Sequence, residues 1–86
     1  MMTSGQLRAA RALLGIDQKT LAARADVSLP TIQRMEASDG VVRGTVETLT
    51  KVIEALARDG IDLIGEGAAS DHGGRGVRLR GPTSHQ

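Results

Sequence analysis

The sequence predicts an all-α domain of four to five short helices over residues 1–60, followed by a short C-terminal two-strand β extension over residues 61–86. Three observations predict it. Apolar residues recur at helical spacing in four stretches up to position 58, each preceded by a residue able to cap a helix. From Ile61 the apolar period switches to two. Glycine changes with it: four precede position 60 and seven lie from Gly60 onward.

In chain order, Leu7, Ala10, Leu13 and Leu14 form the first helical series, with Thr3 and Gln6 in the reciprocal capping arrangement before it and Gly15 ending it. Asp17 caps a second short helix carrying Leu21, Ala22 and Ala25, which gives way at Asp26-Val27. Ser28 caps a third. There Pro30 falls in the first turn, where its missing N–H has no helical partner to lose, and Ile32 and Met35 form the inward face. After the polar stretch from Ala37 to Gly44, Gly44 or Thr45 opens the longest helix, with Val46, Leu49, Ile53 and Leu56 on one face and Gly60 beyond its end. Ile61 and Leu63 alternate with Asp62, and Val77 and Leu79 with Arg78 and Arg80, as two short strands. Gly65 to Gly76 between them is too long for a tight turn, so the strands either form a long-looped hairpin or find partners elsewhere.

Composition sets the limits. Eighty-six residues hold one small domain and exclude a large catalytic fold. The chain is 40% hydrophobic, 24% charged and formally +1, which separates it from disordered polyelectrolytes and basic tails. With no Phe, Tyr or Trp, the core is a thin one of Leu, Ile, Val, Ala and Met. A chain this small buries little more than ~60% of its unfolded surface, so added surface from a second copy is expected. Zero cysteines exclude disulfides and thiolate zinc sites and suit a reducing compartment. No apolar run approaches the roughly 20 residues of a membrane span and no signal-peptide core is present, so the expected location is the cytoplasm, with no membrane partner and no cofactor.

The informative segment runs from Asp17 to Glu36. Two helices of about two turns are joined by a three- or four-residue turn, with Leu21, Ala22, Ala25, Val27, Ile32 and Met35 at the positions that pack between them. This is helix-turn-helix geometry, in which the first helix crosses the DNA backbone and the second enters the major groove. The segment resembles the phage repressor and Cro family, the Xre-type helix-turn-helix domains, through Gln18, Leu21-Ala22, Val27-Ser28, Thr31-Ile32 and Glu36. The resemblance covers about residues 5–58. Asp26 stands where the family often has Gly, and Ser38 to Val42 is a longer loop than usual.

The resemblance implies a DNA-binding surface residue by residue. Gln18 and Lys19 meet a phosphate at the start of the second helix. Ser28 caps the recognition helix and reaches a phosphate, Leu29, Pro30, Thr31 and Arg34 face the bases, and Gln33 bonds a base or a phosphate. Arg34 matches the O6/N7 edge of guanine, while Leu29 and Pro30 offer apolar contact to a thymine methyl. Arg43 holds a phosphate on the far side of the groove. Charge agrees: over residues 1–35, five basic residues against Asp17 and Asp26 give +3, while residues 46–66 carry −3.

Other groups carry less. Ser70-Asp71-His72 has the letters of a nucleophilic triad, but adjacent residues cannot hold its geometry. His72 and His85 lack the companions of a metal site, the Gly73 to Gly76 run precedes no helix, and Glu36 closes the recognition helix or pairs with a basic neighbour. No enzyme is expected. An isolated hairpin is marginal in water, so the strands are expected to build a dimer interface from Ile61, Leu63, Ile64, Val77 and Leu79, joined by Val52. The sequence therefore reads as a homodimeric transcriptional repressor binding double-stranded DNA at an inverted repeat. The alternatives are a DNA-binding antitoxin, holding a protein partner through the C-terminal strands, and an interaction adaptor on the same fold.

Overall fold

The computed structural model describes residues 2–65 and 75–80. Helices α1 (Ser4–Leu14), α2 (Gln18–Ala25), α3 (Leu29–Ala37) and α4 (Val46–Arg58) precede strands β1 (Ile61–Ile64) and β2 (Gly76–Leu79). Every helix start carries the cap read from the sequence. Thr3 and Gln6 form the capping box of α1, and Asp17, Ser28 and Thr45 accept the backbone N–H of Thr20, Thr31 and Thr48. The hydrogen bonds from Thr20 hold the Asp17 carboxyl below its usual range. Gly15 closes α1 in the left-handed region at φ 67°, and Asp26 closes α2 there at φ 58°, the conformation that Asp tolerates better than most side chains.

The core gathers Leu7 and Ala10 of α1, Leu21, Ala22 and Ala25 of α2, Ile32 and Met35 of α3, and Val52, Ala55 and Leu56 of α4. Two inward faces differ from expectation. In α1, Leu13 is exposed while Leu14, two turns beyond Leu7, takes the core side. In α4, Val46 and Ile53 face outward, and the buried track is Val52, Ala55 and Leu56 with Leu49 half-buried. Apolar residues cover more than one face of this helix. The track containing small Ala55 can sit close against α2, and that contact fixes the helix's rotation.

The long loop after α3 is tied down by the start of the chain: Ser4 N–H donates to Gly40 (2.8 Å) and Val42 N–H to Met2 (3.0 Å), burying both Met2 and Val42. The two strands pair antiparallel within the one chain, with Ile61 opposite Leu79 and Ile64 opposite Gly76. They complete each other rather than waiting for a partner's strand. Packing on the helices makes the small hairpin stable: Ile61 is buried, and the Gln6 side-chain amide donates to the carbonyls of Ile64 (3.0 Å) and Gly76 (2.8 Å). Asp62 pairs with Arg78 and Arg80 across the strands, and these cations lower its pKa, the Arg78 hydrogen bond foremost.

Candidate nucleic-acid interface

The α2–turn–α3 unit is held from behind by a buried charge. Glu36, on the inner side of α3, is only 5% exposed. Its carboxylate accepts two hydrogen bonds from the Arg11 guanidinium, Nε to Oε2 at 2.8 Å and Nη2 to Oε1 at 3.0 Å, and a third from Gln18 Nε2 at 3.1 Å. Arg8 donates to the Glu36 backbone carbonyl. Burial pushes the Glu36 carboxyl up, but the hydrogen bonds of Arg11 and Gln18 and the charges of Arg11 and Arg8 outweigh it and leave it below the usual carboxylate range. One side chain thus joins α1, α2 and α3, and with Ile32 and Met35 it fixes which face of α3 points away.

The structure places the expected residues as follows. Lys19, Ser28, Pro30, Gln33, Arg34 and Arg43 are exposed. Leu29 and Thr31 are half-buried, and Leu29 packs against the core. Gln18 sits half-buried at the start of α2 as expected, with its amide nitrogen donating to Glu36. The Ser28 and Thr31 hydroxyls lie 2.7 Å apart, and Arg34 Nη2 donates to Thr31 Oγ1 at 3.4 Å, so the N-terminal turn of α3 links the cap to the arginine.

The basic balance of the first 35 residues is partly internal. Arg8 and Arg11 are held by Glu36, and Arg24 by Asp59 (2.7 Å). Lys19, Arg34 and Arg43 have no acidic partner among the described residues, and these three direct positive charge outward. Sequence reasoning identified Glu36 as structural but not its partners, because Arg11 stands 25 positions away. It read Gln6 as a cap only; its second role, holding the hairpin, has no local signal.

Of the residues expected at a dimer interface, Val52 and Ile61 lie inside the chain's own core, at 0% and 3% exposure, because α4 packs against α2 and β1 packs against α4. Leu63, Ile64 and Val77 are half-buried, and Leu79 is exposed. Ser70, Asp71, His72, Gly73, Gly74 and His85 lie outside the described residues. Among the described residues no cluster of three or more His, Cys, Asp or Glu could hold a metal ion, and no helix is long and apolar enough to cross a membrane.

No curated protein matches the chain. A helix-turn-helix family model matches residues 7–60, from the first turn of α1 to just past the end of α4. The match contains the whole Glu36-braced α2–turn–α3 unit with its outward cations, and the chain belongs to the Xre/Cro-like helix-turn-helix family of DNA-binding regulators.

Proposed function

We propose that the protein is a sequence-specific repressor that acts as a homodimer on an inverted repeat, inserting α3 into the major groove and occluding a promoter in the cytoplasm. The observation that carries this reading is the division of α3 into a locked inner face, Ile32, Met35 and Glu36, and an outer face ending in Gln33 and Arg34. Arg34 reads a guanine through its two-pronged guanidinium, with Thr31 orienting it from one turn back. Lys19 and Arg43 grip phosphates on either side, Gln18 adds its amide oxygen or N–H, and the exposed Ser28 hydroxyl reaches the backbone. Pro30, with the edge of Leu29, offers apolar contact to a thymine methyl, and Gln33 meets a base or a phosphate.

The test is selection from a pool of random duplexes by the full chain, followed by titration of the enriched sequence at two salt concentrations beside Arg34→Ala. The expected winner is an inverted repeat with half-sites roughly 34 Å apart. Arg34→Ala should weaken it by about 1–3 kcal/mol per half-site and relax one base position in each, whereas loss of Lys19 or Arg43 should weaken all sequences alike. Absence of any enriched sequence would sink the reading, and co-purification of a second protein would favour the antitoxin alternative.

A further inference from the structure

Two tracks run side by side along the outward surface of α4. One is mainly apolar, with Val46 at 80% exposure, Ile53 at 37% and Ala57, interrupted by the hydroxyl-bearing Thr50. The other is charged: Glu47, Lys51, Glu54 and Arg58, spaced four, three and four apart. The charged track alternates −, +, −, +, so it reads +, −, +, − from the other end. The pairs that such spacing allows within one helix do not form. Lys51 lies 3.8 Å from Asp26, Arg58 donates to the Arg24 carbonyl at 3.2 Å, and Glu47 and Glu54 have no ionic partner among the described residues.

We infer that this surface joins two copies of the chain, their α4 helices packed antiparallel about a two-fold axis level with Val52 and Ile53, deepening the homodimer in the function proposed above, on which it rests. At that register Glu47 of each copy faces Arg58 of the other, and Lys51 faces Glu54, so all eight charges have opposite partners. A parallel pair would set like against like at every level. The apolar tracks meet beside the ladder. Ile53 abuts its own symmetry mate near the axis, and Val46 reaches the level of Asp59, just past Ala57 and beside the groove that Ile53, Ala57, Ile61 and Leu63 line.

The same packing settles how the two reading heads are arranged. The charged flank lies on the α2 side of α4, as the Lys51–Asp26 and Arg58–Arg24 contacts show. A two-fold axis perpendicular to antiparallel helices keeps that flank on one side of the dimer. Both α2–α3 units therefore face the same way, as one duplex requires. The self-complementary charge order selects a second copy.

Sedimentation of the full chain without DNA tests the inference. Glu47→Arg and Arg58→Glu each set like charges together twice per dimer, and each should weaken dimerisation at least about tenfold at low salt, with the effect shrinking at high salt. An equal mixture of the two variants should dimerise like the wild type, because each then meets the opposite charge. Lys51→Glu with Glu54→Lys repeats the exchange at the inner rungs should either first variant fail to fold. Single variants that dimerise normally, or a mixture no tighter than its components, would overturn the antiparallel ladder. A monomeric wild type would overturn it too while leaving a monomeric DNA reader standing, whereas a normal exchange pattern without duplex selection would overturn the reader and keep the interface.

Discussion

Helices α3 and α4 divide polar and apolar chemistry in opposite ways. The inner face of α3 contains a carboxylate bound by Arg11 and Gln18, and its outer face ends in Gln33 and Arg34. The inner face of α4 is Val52, Ala55 and Leu56, and its outer face still exposes Val46 and Ile53. Apolar burial holds a helix firmly but with little directional preference, whereas a forked hydrogen-bonded ion pair also specifies its rotation. A helix that must present particular side chains to base edges gains from the second kind of anchor. An outward apolar stripe has the other use, contact with protein rather than with the polar surface of a duplex.

Removal of the polar anchor should have the largest effect on this contrast. Glu36→Ala leaves Arg11 and Gln18 without their acceptor, and an expected loss of about 3 kcal/mol should appear in urea unfolding. Wild-type stability in that variant would mean that α3 is positioned by Ile32 and Met35 alone.

Acid should act in the same direction with a smaller amplitude. The folded carboxyl of Glu36 lies below its ordinary value of 4.5, so its stabilising contribution is complete above that pH and is lost as pH falls from there through the folded value. Wild-type stability should therefore fall more steeply than that of Glu36→Ala below about pH 4.5. Asp17 and Asp62, also lowered, contribute alike to both proteins, and the difference between the two curves isolates Glu36. Parallel curves would show that the ion pair contributes nothing. The smallest effect belongs to the outer face of α4, where Val46, 80% exposed, can be replaced: Val46→Ser should change unfolding of the monomeric chain, measured at high dilution, by no more than about 0.5 kcal/mol. A larger loss would place Val46 in the monomer core and erase the contrast.

The helix limits were legible because capping is a local matter: each of Thr3, Asp17, Ser28 and Thr45 meets an N–H three residues on. The helix-turn-helix was legible for a similar reason, since Ala22, Val27 and Ile32 fall within a dozen positions. The rotation of α4 was not. Val52 and Ile53 are neighbours of similar hydrophobicity, and only contact with α2 and the hairpin decides which of them is buried. Nor could spacing show that Gln18 would be drawn to Glu36, because that bond depends on how α2 and α3 cross. The strands were legible as strands, but their pairing within one chain followed from the support of α1 and α4 beneath them.

The Gln6 amide reaches carbonyls 58 and 70 positions further along the chain. Contacts of such separation form slowly, since the entropy of closing the intervening chain is lost before any bond compensates for it. The four helices shorten that path, and their own contacts need nothing beyond Arg58. Docking of the hairpin is therefore expected to follow assembly of the helices, with the two hydrogen bonds of Gln6 closing the far end of the domain.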